Sequence, residues 1–510
     1  MTRMILAGMI ASHFAIHIWT VAWGGRTSLN HDEMWGATSS NLSVLDSILF
    51  VLRFDIHPPL YYLQLNIWAK ISHSDLWLQV NSMVWLAGAA LLVFSIVRSR
   101  HGAAVGVISA SVVLSHPLLM DYATLVRMYT FVPFLAALGL WFADAIARDC
   151  DGSARADWYW VGLFASLAAL TTSYALGGVA AGAILVYLLA RLGGLRIKPM
   201  DLRKFLWVGA GVVAVLLLVA ANSAIRAVAH AVAPTPSDVA STLSTLLVGV
   251  PIEGLGAGSG VLLFLFTALV VAALVTSAPA RLLIGCLVVM PMVAVGLASF
   301  LLKPIWLTRT FIFCIPFIAV AIGDGISRLM KLPPCRDSSL FRAVSLCGVI
   351  GIVCGLALLG AARSAAPKAP NYVALADFAE RNLGAGDCIA ALNPFDVFWG
   401  LARYTEGANW SGGLRVQQEP TRRWKTIVSK MSPEVARRLK FVGETDRIVT
   451  RKGFVLAPGL PADFATSCGR VFAADYEAQF HEDLPQAGQA PLFAASGPIS
   501  IRGPITLPVQ

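Results

Sequence analysis

The sequence predicts a polytopic α-helical membrane protein with a small C-terminal extracytoplasmic α/β domain. Three observations carry this. First, 57% of the 510 residues are hydrophobic and only 13% are charged, about half the charged share of an ordinary soluble protein; the mean hydropathy is +0.70. Second, the apolar residues fall in runs of about twenty, the length that crosses a bilayer, as in VNSMVWLAGAALLVFSIV, FLWVGAGVVAVLLLVAANSA and AVSLCGVIGIVCGLALLGAA. Third, such runs stop after residue 362 and the pattern becomes that of a small mixed domain.

The spans follow in order. The net charge of +10 comes from Lys and Arg gathered in short loops. These are RSR (98–100), RDCDGSAR (148–155), RLGGLRIKPMDLRK (191–204), PAR (279–281) and SRLMKLPPCRDSSLFR (327–342). Positive-inside sorting puts all five in the cytoplasm, so the basic balance needs no nucleic-acid partner. Threading the chain on that side gives about 11 spans, near 4–24, 78–97, 103–120, 124–146, 158–175, 177–192, 204–223, 260–278, 281–301, 310–328 and 343–362. The first run has no small-residue cleavage site and reads as a retained helix. Outside the membrane lie the loop 25–76, the loop near 224–258 and everything after 363; the expected division is a transmembrane domain 1–362 and an extracytoplasmic domain 363–510. ASTLSTLLVGVPIEG (240–254) is too short to cross and reads as interfacial or re-entrant.

In the tail, YVALADFAERNL has helical spacing, GDCIAAL reads as a strand, FDVFWGLARY as a helix and KFVGETDRIVTRKGFVLAPG as strands. Of eight cysteines, only Cys388 and Cys468 fall in this outer region; a bridge between them or two buried thiols both fit. The basic run of Arg415, Arg422, Arg423, Lys425, Lys430, Arg437, Arg438 and Lys440 reads as a solvated face, with lipid phosphate or an anionic acceptor as the other reading.

The polar residues of the outer loop point to chemistry. SLNHDEMWG (28–36) places Asp32 and Glu33 just past the first span. FDIHPPLYYL (54–63) places Asp55 and His57 before a Pro-Pro pair that starts a helix. Between them Leu42, Leu45, Ile48, Leu49 and Leu52 follow a three-four spacing, an amphipathic surface helix. MDYATLVRMYTF adds Asp121, Arg127 and Tyr129, and LLKPIWLTRTFIF adds Lys303 and Arg309 on the same outer side. Charged groups near hydrocarbon are costly and mostly functional. A desolvated carboxylate is a better base, and arginine matches a pair of phosphate oxygens. Each has a plainer reading. Asp32 and Glu33 could be a helix-end acid pair in water, His57 a cap, Arg309 a snorkelling anchor, and Arg127 a structural partner of Asp121.

The order of these motifs resembles the GT-C membrane glycosyltransferases, in particular the bacterial relatives of the protein O-mannosyltransferases and aminoarabinose transferases. The resemblance rests on the early DE pair, on FDIHPPLYYLQLNIWAKI, on VRMYTFVPFLAALGLW and on KPIWLTRTFIFCIPFIAVAIGDGI, and covers about residues 1–330. It implies a sugar donor on polyprenyl phosphate, an active site and C-terminal domain facing the periplasm, and a multi-pass protein of the bacterial inner membrane. By it Asp32 is the catalytic base and Glu33 orients the acceptor or the neighbouring chain. Asp55 and His57 complete the pocket with Asp121, Arg127 and Tyr129, and Arg309, with Lys303, holds the leaving phosphate. The expected reaction is a single inverting displacement. Glycolipid, polysaccharide and protein acceptors all stay open. No cofactor is required; a divalent metal on Glu33, Asp55 and His57 is an option in ligand chemistry without close ligand spacing. Two other functions are compatible with the chain. A polar-lipid transporter or flippase would move a labelled lipid-sugar without covalent transfer, and a non-catalytic envelope assembly subunit would tolerate loop substitutions.

Overall fold

Why the apolar runs become separate helices is visible in the computed structural model. It describes residues 2–23, 28–40, 42–55, 57–148, 154–193, 199–222, 233–302, 304–331, 339–365, 372–391, 400–401, 403–405, 414–416, 439–441, 448–449, 452, 455–458, 467–476, 493–494 and 499–502. The helices are α1 (Thr2–Trp23), α2 (His31–Ser40), α3 (Val44–Phe54), α4 (Leu60–Ala69), α5 (Asp75–His101), α6 (Ala103–Ser115), α7 (Pro117–Tyr122), α8 (Phe131–Arg148), α9 (Ala154–Ser173) and α10 (Gly177–Gly193). They continue with α11 (Pro199–Asn222), α12 (Pro236–Val248), α13 (Ala257–Thr276), α14 (Ala278–Ile284), α15 (Met290–Leu301), α16 (Ile315–Leu329), α17 (Ser339–Ala365) and α18 (Tyr372–Asn382). Among the described residues seven helical stretches are long and apolar enough to cross a membrane, and three shorter helices are apolar. The chain is a multi-pass helical membrane protein.

It divides into two compact units. One comprises Met1–His17, Val51–Tyr61 and Val80–Ser364; the other comprises Ile18–Phe50, Tyr62–Gln79 and Ala365–Gln510.

In the first unit α16 is the core element: Ile315 through Ser327 are all buried, and it packs on α6, α13 and α14. Two glycines allow this. A Cβ on Gly323 would lie 2.6 Å from Ser109 Oγ and 2.8 Å from Val97 Cγ1, and one on Gly325 would lie 2.9 Å from the Leu269 carbonyl oxygen. Small residues of this kind let helix backbones approach closely. By contrast only 11% of the apolar stretch in α11 and 17% of α13 is buried.

Two predicted spans are interrupted. The stretch 103–120 breaks at His116, which Pro117 holds in an extended conformation. A His116 ring nitrogen lies 3.0 Å from the Leu246 carbonyl oxygen. The stretch 124–146 begins as helix only at Phe131; the residues before it form turns, fixed where Ser82 Oγ donates to the Leu125 carbonyl at 2.5 Å. Both segments are apolar enough for hydropathy to read through the break. Between α14 and α15 runs a π-helical turn, Gly285–Val289. Pro291 has no N–H to give to the Leu287 carbonyl four residues back, and the buried Cys314 thiol donates there instead, at 3.5 Å. The stretch read as interfacial is α12, whose Thr235 and Asp238 form a reciprocal cap. Gly249 ends it in the left-handed region, φ 76°.

The second unit joins the first outer loop to the tail. A helix is found where one was expected near 42–52: α3, with Val44 and Leu45 exposed and Asp46, Ser47 and Phe50 buried. The helix expected after the prolines is α4. The Asn66 amide donates to the carbonyls of Ser40 and Leu42 at 3.0 and 2.8 Å, tying α4 to the link between α2 and α3. In the tail, β1 (Asp387–Ala391), β2 (Leu414–Val416), β3 (Leu439–Phe441), β4 (Ile448–Val449), β5 (Val455–Pro458), β6 (Arg470–Tyr476), β7 (Phe493–Ala494) and β8 (Ile499–Arg502) follow α18. Six form a sheet of order β4-β5-β1-β6-β8-β7, and β2 pairs with β3. In the large sheet β1 is parallel to both β5 and β6, while the remaining pairs are antiparallel. Cys388 on β1 is disulfide-bonded to Cys468 with Cα atoms 5.8 Å apart. Of the basic run, Arg415 and Lys440 fall on β2 and β3; its members from 422 to 438 lie outside the described residues.

Candidate functional site

In the first unit the chain brings a polar cluster together at the N-terminal ends of α8, α10 and α16. Asp55 follows α3 and continues its ladder, its N–H donating to the Val51 carbonyl at 2.9 Å. Its Oδ1 accepts the His57 N–H at 2.8 Å, the i to i+2 turn that aspartate favours, and the prolines then start α4. Arg127, in the turn segment before α8, places Nη1 3.8 Å from Asp55 Oδ2, with the two side chains 8% and 6% exposed. Such a pair is held because neither charge has water to return to.

The other face of this cluster was not foreseen from the sequence. The His57 ring stacks on Tyr174, centroids 5.2 Å apart and planes 13° apart. Tyr174 lies between α9 and α10, and its hydroxyl donates to the Arg309 backbone carbonyl at 3.4 Å. Its sequence surroundings, TTSYALGG, offer only a tyrosine at a span end, the ordinary place for an interfacial aromatic. Arg309 is exposed, on the 3-10 segment Thr308–Cys314 that precedes α16. Tyr129 is buried, its ring 4.5 Å from that of Tyr122; Asp121 is half-buried on α7. The structure therefore places Arg127 against Asp55. Lys303 lies outside the described residues.

Asp32 and Glu33 belong to the second unit. Asp32 is exposed on the first turn of α2. Glu33 is buried and caps that helix: its N–H donates to Asn30 Oδ1 and its Oε2 accepts the Asn30 N–H, both at 2.9 Å. The pattern Asn30-x-x-Glu33 is a capping-box variant; Glu33 is thus an acid at a helix end, but a buried one and not one in water.

The same unit contains a second feature that sequence reasoning missed. Asp75 Oδ1 accepts from Arg403 Nη2 at 2.6 Å, and Asp75 Oδ2 accepts from the Tyr404 hydroxyl at 2.6 Å. That hydroxyl in turn accepts the Leu29 N–H at 2.8 Å. The Tyr372 N–H donates to Ser28 Oγ at 3.2 Å. The tail thus grips the backbone that leads into α2. Burial raises the Tyr404 phenol pKa, and the neighbouring Asp75 carboxylate adds to the rise. Burial pulls Arg403 down, but Asp75 and Tyr404 more than reverse it. Among the described residues no group of three or more His, Cys, Asp or Glu is placed to hold a metal.

No protein-family model matches the chain, and no curated protein does. Solved structures do. ArnT from Cupriavidus metallidurans in the apo state is 10% identical, covers 98% of both chains and gives a TM-score of 0.58. The same protein bound to undecaprenyl phosphate is 11% identical, covers 97% of both chains and gives 0.56. The Archaeoglobus fulgidus oligosaccharyltransferase tethered to an acceptor peptide is 12% identical over 78% of this chain and 63% of that one, with a TM-score of 0.50. Over nearly its full length, this chain has the fold of the Cupriavidus metallidurans ArnT structures.

Proposed function

We propose that the protein transfers a sugar from a polyprenyl-phosphate donor to an extracytoplasmic acceptor, with inversion at the anomeric carbon. The observation that carries this reading is the cluster of Asp55, His57, Arg127, Tyr174 and Arg309 at the N-terminal ends of three helices. Helix N-termini carry partial positive charge and favour phosphate, and arginine adds paired donors. The fold supports the same donor class, since the ArnT of similar architecture was solved with undecaprenyl phosphate. In this reading the chain crosses a bacterial inner membrane about 11 times, with this cluster and the domain 363–510 in the periplasm.

Asp32 is the proposed base. Its carboxylate takes the proton of the acceptor group; the freed electron pair forms the new bond to C1. The bond from C1 to the phosphate oxygen breaks, its electrons leaving on the phosphate, where Arg309 offsets the developing charge. Losing such a stabilising group costs about 2.7–4 kcal/mol of barrier. Asp55 and Arg127 fix each other, and Tyr174 holds His57 and the Arg309 backbone in place. The sugar and the acceptor are to be identified by mass spectrometry of envelope glycolipids, polysaccharides and glycoproteins with and without the protein.

The direct test uses the purified full-length protein with undecaprenyl-phosphate sugars and an envelope extract. Wild type is expected to release undecaprenyl phosphate and label an acceptor, and Asp32→Asn to abolish labelling at normal protein levels. Undiminished labelling by Asp32→Asn refutes the base assignment. Movement of the lipid-sugar across vesicles without covalent transfer makes the protein a transporter.

A further inference from the structure

The helices whose N-terminal ends carry the cluster above end, in the same unit, in a second one. Arg148 closes α8, and Arg191 and Arg328 lie in the last turns of α10 and α16. The 18 residues of α8 separate the two clusters by about 27 Å, so the second is on the opposite face. With Arg100 from the last turn of α5 these arginines line one cavity of about 160 Å³, together with His101, Asp144 and Asp324.

Helix macrodipoles recruit cations to C-terminal ends, which explains why each arginine is tolerated. It does not explain their convergence on one hollow or its charge. Four guanidiniums meet two carboxylates there. Both carboxylates are already shared. Asp144 is 2.5 Å from Arg100 and 3.7 Å from Arg148; Asp324 is 2.5 Å from His101 and 3.6 Å from Arg100. They are nearly fully buried, 1% and 3% exposed, and form the floor that orients Arg100. Among the described residues Arg191 and Arg328 have no carboxylate within ion-pair distance, so the hollow keeps a surplus of two positive charges.

We infer that this cavity binds a phosphate group, separately from the proposed donor site. A tetrahedral oxyanion fits the volume, matches the forked donors of Arg191 and Arg328, and cancels the surplus. The group is either the headgroup of an anionic phospholipid, as basic pockets between transmembrane helices accept, or a free phosphate.

The test uses the full-length protein in a neutral maltoside detergent. Binding of phosphatidylglycerol, against phosphatidylcholine, is read by native mass spectrometry, and binding of inorganic phosphate by thermal shift. The comparison is with Arg191→Gln/Arg328→Gln, which leaves the two aspartates with their own partners, and with Arg203→Gln as a control outside the cavity. We expect at least a tenfold weaker retention in the double variant and none of that loss in the control. Preference for phosphatidylglycerol identifies a lipid headgroup; protection by inorganic phosphate alone identifies a free anion; either supports the site. Equal binding by wild type and double variant, or no binding of either probe, overturns it. Should the double variant fail to fold, Arg328→Gln alone, at an exposed position, carries the same comparison.

Discussion

Asp55 and Arg127 can be tested as a pair. At an effective dielectric constant of about 20, unit charges 3.8 Å apart attract by about 4 kcal/mol. Desolvation of two side chains exposed by only 6% and 8% offsets much of this, leaving a coupling of about 2 kcal/mol. Asp55→Asn keeps an acceptor for the His57 N–H and removes only the charge; Arg127→Gln removes the other. Each single variant strands a buried charge and is expected to cost about 3–5 kcal/mol, with loss of sugar transfer. Both residues have further contacts, so the singles exceed the worth of the pair and only the double-mutant cycle isolates it. The assay is reversible unfolding of the four proteins in mixed micelles, followed by tryptophan fluorescence. A double variant less damaged than the sum of the singles by about 2 kcal/mol supports the pair. A coupling below about 0.5 kcal/mol refutes the reasoning that the pair holds the first outer loop to the turn before α8.

Tyr404→Phe removes the hydroxyl that joins the Leu29 N–H to Asp75. Leaving a buried donor unmet costs about 1–3 kcal/mol, so amides of 28–40 should exchange with solvent roughly tenfold faster. Gly325→Ala drives a methyl against the Leu269 carbonyl oxygen; backbone cannot give way as a side chain does, and about 1–3 kcal/mol of stability is lost, read as a lower melting temperature. Asp387 is held below its ordinary pKa first by its hydrogen bonds with Arg470, against the effect of burial. A depressed carboxylate stabilises above its unfolded pKa, and the contribution is lost as pH falls through the folded value. Exchange protection of β1 and β6, corrected for intrinsic rates, should therefore fall below the ordinary carboxylate range, and in Arg470→Gln the fall should begin at higher pH.

Much of this was legible because it is local. The Pro58-Pro59 start of α4, the strand at GDCIAAL and the helix YVALADFAERNL are set by spacing and by proline geometry, and the structure has all three. The breaks at His116 and before Phe131 were hidden because the residues on both sides are apolar. Asn30 was the signal for Glu33's capping role, but an acid pair at a membrane surface drew the chemical reading instead. Tyr174, the grip of Arg403 and Tyr404 on Asp75, and the arginine cavity depend on residues 44 to 329 positions apart meeting in space. No periodicity encodes that. In the second unit the tail supplies the partners of Ser28 and Leu29, which composition alone assigned to a separate domain.

Helix α16 has consequences for how variation in this protein should be interpreted. Protein surrounds Ile315 through Ser327 on every side, so lipid does not wet that stretch and greasiness is not what its residues are chosen for. Exchanges there succeed or fail by shape, as in the interior of a water-soluble globule. In α11, where most of the apolar stretch faces outward, one aliphatic side chain can replace another with little effect. Two segments that hydropathy scores alike therefore obey different substitution rules, and a variant effect learned on one does not transfer to the other.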